Sequence, residues 1–519
     1  MTSLVNIRRA TFVLVAAMAW MGCKQTNRLY CDVSTPCRDP ARPSCDTIAH
    51  ECQSASSTHP DMSTVDMSSG CSTSDQCPDA LPICDAGVCR ACTGPADAAL
   101  CTTHKATTPY CDIPSGACVA CTTATQATDC AAATPICGVG GGCRKCQLHS
   151  ECAEGVCRFD GPNAGSCVAS SEIAYVDNKG NVTNCGLAGT HDGASPATAY
   201  CDVQPGVDSG KPYVLVTGHG NTQSAYGKVT ITNTVNVTIV GPGAGVLNPA
   251  LVFDVAADQI SVTPTGSNAA TLILDGLELG DRSNPSGQNG ISCSASGAAS
   301  AKIVVRRSII QHNGKMGVTT NGCDVTLDQS TIGPGNSQGG ALLKSSDFTI
   351  QNSVVHDNGS TTAAFGGLQI NGLGAAARGR IVNVDIVNNA SKNAANTYSA
   401  IDCVSGTVVA LNTALIGNTV AASTAEVRSS CLMDHSAWVG AAGTNLNLAS
   451  CSDATVFVDP TAFDYHLRTA AVAPCTVTLV GRGTGAFMNA SAPDYDFYGA
   501  SRPLPAGSAA DIGAVESPQ

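Results

Sequence analysis

Charge and aromatic surface are what this chain has least of. Only 13% of its 519 residues are Asp, Glu, Lys or Arg, and only 4% are Phe, Trp or Tyr. The formal net charge is −13. A nucleic-acid partner would need a broad basic face, so none is expected. The same sign opposes adsorption to an anionic membrane surface. Gly is abundant, at 53 residues, but follows no three-residue period, which excludes collagen. Long helical periodicity is absent. No Asp-Asp pair occurs anywhere. The hydrophobic fraction of 43% still suffices for a core, so the chain is not globally disordered.

What the chain has in excess is cysteine. Of 29 Cys, 21 lie between Cys23 and Cys167 and eight are spread from Cys185 to Cys475. Such a load points to an oxidising compartment and to disulfides. The N-terminus gives an independent reason to expect export. Arg8 and Arg9 precede an apolar stretch, Ala10 to Met21, which is suited to a signal peptide and too short to span a bilayer.

That stretch ends Trp20-Met21-Gly22-Cys23, which resembles a bacterial lipoprotein box through Gly22 and Cys23, with Trp20 and Met21 departing from the usual residues. The resemblance implies cleavage before Cys23 and acylation of that thiol, with outer-membrane lipid as the partner. Several acyl chains at about 0.8 kcal/mol per buried CH₂ give stable anchoring. Setting Cys23 aside leaves an even 28 Cys. The expected location is therefore exported and lipid-anchored, in the bacterial outer membrane or at the cell surface.

The 20 Cys of residues 31–167 form five groups of four: Cys31/37/45/52, Cys71/77/84/89, Cys92/101/111/118, Cys121/130/137/143 and Cys146/152/157/167. Pro stands two residues before the third Cys in four of the groups, and Gly or Pro often marks a turn before the fourth. Units this small depend on their bridges for stability. Four Cys allow three pairings, and all three stay open. Zinc is the competing reading, because Cys89-x-x-Cys92, Cys118-x-x-Cys121 and Cys143-x-x-Cys146 have metal-ligand spacing, with His104 and His149 nearby. Behind an export signal disulfides are expected instead, and no metal. Gln53 to Gly70, without Cys and rich in Ser and Thr, reads as a linker.

From about Glu172 short apolar alternations separated by Gly or Asn read as many short strands. Aligning Ser308, Ser330, Ser353, Asp385 and Thr413 places an apolar residue two positions later in every case: Ile310, Ile332, Val355, Val387 and Leu415. Three positions earlier stand Val305, Leu327, Ile350, Val382 and Ala410, and Asn313, Asn358 and Asn418 fall five positions later. A repeat of variable length with fixed apolar columns is expected of a β-solenoid, each coil pairing with the next at about 4.8 Å. A β-sandwich is the competing fold.

The opening segment carries Gly189-Thr190-His191-Asp192-Gly193, Ala199-Tyr200-Cys201-Asp202-Val203, Tyr213-Val214-Leu215-Val216 and Val237-Thr238-Ile239-Val240-Gly241. The end carries Val458-Asp459-Pro460, Asp464-Tyr465-His466-Leu467 and Asp511-Ile512-Gly513-Ala514-Val515-Glu516. Residues 172–519 therefore resemble the pectin-lyase-like superfamily and its bacterial surface-anchored members. The resemblance implies an all-β chain: a right-handed parallel β-helix solenoid preceded by small disulfide-rich repeats. The expected division is a signal peptide at 1–22, a lipid-anchored unit and linker at 23–70, a Cys-rich array at 71–171 and the β-helix at 172–519. Cys185 and Cys201 flank the opening segment and are disulfide candidates.

Enzymes of that superfamily cleave polysaccharides, lyases with a Ca²⁺-binding acid cluster and an Arg base, hydrolases with paired Asp. His219-Gly220 lies too early, Arg380-Ile381-Val382 lacks the Lys of the hydrolase motif, and Asp434-His435 lacks a lyase context. His312 and Asp357, with His356 adjacent, share one column and are the catalytic candidates; Asp275, Glu278 and Asp281 form a second acid set on one rung. Sugar sites usually present aromatic faces, and Trp438 is the only Trp left once a signal peptide is removed. The expectation is a cell-surface lipoprotein whose β-helix is a non-catalytic binding, structural or adhesive module, with polysaccharide or a surface protein as its partner and no cofactor. The alternative is a polysaccharide lyase or glycoside hydrolase, and Ca²⁺ belongs only to the lyase.

Overall fold

The computed structural model describes residues 70–178, 185, 191–217, 225–241, 252–253, 257–280, 288–372, 379–392, 398–420 and 426–517, and the backbone of two antiparallel strands, Ser44–Asp46 and Glu51–Gln53. The expected signal peptide, Cys23, most of the first cysteine group, the linker, His219 and Asp281 lie outside the described residues. Contacts divide the chain into two compact units, Met1–Val119 and Ala120–Gln519. The compositional boundary at residue 171 falls inside the second.

In the first unit the second and third cysteine groups each build a small hairpin. Ile83–Asp85 pairs with Val88–Arg90 and Tyr110–Asp112 with Ala117–Val119. Ala86 and Gly87 both have positive φ, as a tight two-residue hairpin turn requires. Each group bridges first to third and second to fourth: Cys71–Cys84 with Cys77–Cys89, and Cys92–Cys111 with Cys101–Cys118. The fourth and fifth groups, in the second unit, repeat the pattern. Each Cys-x-x-Cys therefore joins the last Cys of one module to the first of the next. No cysteine of these spacings is left as a thiol in the described modules.

The rest of the second unit is a parallel β-helix. One sheet runs through Tyr213–Val216, Val235–Val240, Ala269–Asp275, Ser300–Arg306 and Asp324–Asp328, each strand parallel to the next. The long strands Phe348–His356 and Gly379–Val387 then serve both this sheet and a second one. A third sheet stacks Val229–Ile231, Ile260–Val262, Ile291–Ser294, Met316–Asn321, Gly339–Lys344, Leu368–Asn371 and Ile401–Cys403. Inward columns such as Val237, Leu272, Ile303 and Val325 are fully or almost fully buried and form one continuous core. At the N-terminal end a short helix, Val203–Asp208, packs Val203 and Val207 into that core. Its N-cap Asp202 accepts from the N–H of Val203 and of Gly227.

The bend from first to second sheet explains the hydroxyl column. One left-handed residue makes that bend on successive coils: Gly276, Arg307, Gln329, Asn352, Asn383, Asn412 and His435. The bend breaks the backbone ladder and would orphan the N–H that follows it. The hydroxyl of the next coil serves that N–H instead. Ser308 Oγ accepts from Leu277 N, Ser330 Oγ from Ser308 N, Ser353 Oγ from Ser330 N and Ser436 Oγ from Thr413 N, at 3.0–3.3 Å.

One coil departs from the sequence alignment. Ser353 pairs with Val384, not Asp385, and Asp385 pairs with Ala414. The inward residues there are Ile381 and Ile386, in place of Val382 and Val387. With that shift the amide column is longer than three. Gln259 donates its amide to Asn313, Asn313 to Asn336, Asn336 to Asn358, Asn358 to Asn389, Asn389 to Asn418, and Asn418 to Glu426 Oε1, at 2.7–3.3 Å. All seven are buried, so every amide needs its neighbour. Among the described residues no helix is long and apolar enough to cross a membrane.

Candidate functional site

His312 and Asp357 stand in one column. His312 N donates to Pro334 O, and Gly335 N donates to Asp357 O, so two coils separate them, about 9.6 Å on the ladder spacing. The column is a second bend, where His312, Asp357, Asn388 and Gly417 all have positive φ. His, Asp and Asn tolerate that conformation better than most residues, and Gly does so freely. The column has a conformational reason to hold these residue types. The His312 ring lies over Gly335, where an added Cβ would come within 2.6 Å of it. The Asp357 carboxylate is engaged by its own neighbour: His356 Nδ1 is 2.8 Å away. His356 is buried against the rings of Phe463 and Tyr465.

The second acid set dissolves into separate contacts. Glu278 is buried and accepts from the Gln311 amide. Asp275 is the centre of a charged clamp that links the solenoid to the fifth cysteine module. Arg307, projecting from its left-handed bend, donates Nε to Asp275 Oδ1 at 2.8 Å and Nη2 to Oδ2 at 2.5 Å. His149 Nε2 is 3.3 Å from the same Oδ2. The N–H of Cys157 donates to His149 Nδ1 at 3.0 Å, so the imidazole proton sits on Nε2 and points at the carboxylate. Arg307 also lies 4.2 Å over the Phe159 ring. Burial alone would raise the Asp275 carboxyl, but His149 and Arg307 outweigh it and hold it down at about 2. One coil later Arg306, which pairs in register with Asp275, is gripped in a two-pronged bond by Asp160 at 2.8 and 2.9 Å.

The C-terminal segment engages the outer carboxylates of later coils. Tyr495 OH donates to Asp328 Oδ2 at 2.6 Å, and Gln351 donates to Tyr495 OH. Asn383 donates to the carbonyls of Asp511 and Gly513, and Asn412 to that of Thr484. Ala514 N donates to Asp385. Within the segment Arg502 and Glu516 form a buried pair at 2.7 Å. On the third sheet Asp402 accepts from Arg428 at 2.6 Å and from Gln369 at 2.8 Å. Asp434 is 2.8 Å from His435 and accepts from Thr444. These acids and bases serve as ties between elements. Sequence reasoning missed Phe159 and Asp160, and it marked His149 only as a neighbour of cysteines with metal-ligand spacing. Their signal was faint: Arg306-Arg307 beside Asp275 in the strand register.

Cys185 and Cys201 are bridged, and the remaining cysteines of the solenoid region pair as Cys293–Cys323, Cys403–Cys431 and Cys451–Cys475. The thiol trios that come close enough for a metal, such as Cys146, Cys152 and Cys167, are made of cysteines already in disulfides.

Residues 58–173 match a family of unknown function, DUF8331. The match spans most of the cysteine modules and ends where the solenoid begins. No curated protein matches the chain. Among solved structures the chain is similar to the crystal structure of pectate lyase Pel9A, with 14% identity and a TM-score of 0.31 over 66% of this chain and 96% of that one.

Proposed function

We propose that this chain is an exported, lipid-anchored surface protein whose β-helix is a non-catalytic binding or adhesive module for polysaccharide. One observation carries the non-catalytic part. The outward groups Asp275, Arg306, Asp328 and Asp402 are spent on fixing elements to each other: Asp275 on Arg307 and His149, Arg306 on Asp160, Asp328 on Tyr495, Asp402 on Arg428. A general base must reach a substrate proton, and a buried carboxylate already held by a guanidinium and an imidazole N–H is poorly placed to do so. The disulfide modules are compatible with an extracellular setting, and Gly22-Cys23 supplies the proposed anchor.

The test is a polysaccharide array probed with the soluble chain lacking residues 1–23. Retention of at least one polymer without new reducing or unsaturated ends supports the reading. Turnover of any polymer that is lost on changing His312 or Asp357 overturns it and installs the lyase or hydrolase alternative.

A further inference from the structure

Between the fifth cysteine module and the first sheet lies a pocket of about 220 Å³. Its floor is the outward column Tyr213, Thr238 and Ile273, in register on three coils, with Asn236 beside it. Phe159 and Asp160 of the module form its roof, and Arg306 closes one side. We propose that this pocket is a binding site for one neutral sugar unit.

Four features select that class of ligand. The volume is below the usual range for drug-sized ligands and admits a single ring. Its charges are balanced before any ligand arrives, Arg306 by Asp160 and Asp275 by Arg307. An ionic ligand would leave one member of such a pair uncompensated, at a cost that grows with burial. The Asn236 amide and the Thr238 hydroxyl form no side-chain hydrogen bond to protein among the described residues, and the Asp160 side chain is 54% exposed and keeps acceptor capacity. Finally, Tyr213, Phe159 and Ile273 supply apolar and aromatic faces for the C–H faces of a pyranose. An uncharged, hydroxyl-rich, ring-sized molecule satisfies all four. The roof belongs to a disulfide module, so the site exists only while that module is docked.

This proposal rests on the reading of the chain as a polysaccharide-binding module and names where a sugar sits. The experiment is calorimetric titration of the full chain with glucose, galactose, N-acetylglucosamine and galacturonate. At least one neutral sugar binds, and galacturonate binds no more tightly than galactose. Ile273→Trp fills the floor and weakens binding at least tenfold. Asn236→Ala, at an exposed position that leaves packing intact, weakens it at least threefold with an unchanged unfolding midpoint. Absence of binding by every neutral sugar, or binding that both variants retain in full, overturns the pocket. If the chain is still retained by a polymer array in that case, the binding-module reading stands without it. If the array also fails, both fall.

Discussion

Asp385 accepts a hydrogen bond from the backbone N–H of Ala514 at 3.0 Å, across 129 residues of sequence. The carboxyl is fully enclosed, and burial pushes it up to about 7, partly offset by that N–H and by Arg502. Burial likewise raises Glu426, at the end of the amide column, to about 7. Both folded-state values lie above those of an unfolded chain, so the native state holds these protons more tightly. Their contribution to stability is complete below about pH 4 and is lost as pH rises through 7. Tm should therefore fall between pH 5 and pH 8, and Asp385→Asn, which stays neutral, should flatten that slope. An unchanged slope in the variant would count against the assignment.

Asp275 acts with the opposite sign. Held down at about 2, it contributes stability that is present above about pH 4 and disappears as pH falls toward 2. Asp275→Asn leaves Arg307 without its charge partner, and such a loss costs about 3–5 kcal/mol in buried pairs. The double change Asp275→Asn with Arg307→Met should cost less than the sum of the two. The effect should be local as well: the amide of Val168, bonded to Val156 O in the fifth module, should exchange hydrogen faster in the single variant.

The amide column makes a graded prediction. Asn358→Ala deprives Asn336 Nδ2 of an acceptor and Ile332 O and Asn389 Oδ1 of a donor. Destabilisation of about 2 kcal/mol or more is expected from buried groups left unpaired. The exposed Asn321 on the third sheet serves as the control, and its change to Ala should stay within about 0.5 kcal/mol. Chemical denaturation midpoints of the two variants decide the matter.

Disulfide mapping tests the modules directly. Non-reducing digestion should yield Cys92 joined to Cys111 and Cys101 to Cys118, with the same first-to-third, second-to-fourth order in the neighbouring modules. Recovery of Cys89 joined to Cys92, or of free thiols at those positions, would contradict it. Loss of one bridge in so small a unit should cost about 2–5 kcal/mol.

Anchoring has its own test. Incorporation of labelled fatty acid should be lost on Cys23→Ser, and the protein should move from the membrane to the soluble fraction. Label retained by the variant would refute acylation at Cys23.

The coil repeat was legible because its hydroxyl column has a fixed job, serving the N–H beyond each left-handed bend. The one-residue slip at Asp385 shows where that legibility stopped. Strands are read by alternation, and alternation needs one face in water. Val382 points outward yet is buried against Val409, Leu411 and Ala490, while Val387 is buried in the C-terminal cluster. With apolar residues on both faces, either register looked equally good. The slip hid Asn389. Asn336 was hidden differently, because the coil Ser330-Thr331-Ile332-Gly333-Pro334-Gly335-Asn336 places it one residue further from its serine than Asn313 and Asn358 are from theirs.

The candidate site was less legible. His312 and Asp357 were brought into one column by the repeat, but the repeat also explains them as bend residues. The clamp at Asp275 joins groups 126 and 32 positions apart, His149 and Arg307. The second is one coil plus a residue, since Asp275 pairs in register with Arg306, but the first runs from the solenoid to a cysteine module, which no coil period reaches. Of its module side chains the sequence marked only His149, and that as a neighbour of cysteines with zinc spacing.

The buried amides also give the solenoid a direction. From Gln259 to Asn418 each side chain gives its N–H forward, from Asn313 onward each also receives from behind, and the series stops on Glu426, an acceptor placed to end it. Such a chain is a vector, copied unchanged when a coil is duplicated head to tail and broken when a coil is inverted. Lengthening by tandem duplication between Asn313 and Asn389 thus needs no compensating change, whereas extension past Glu426 requires replacing the terminator first.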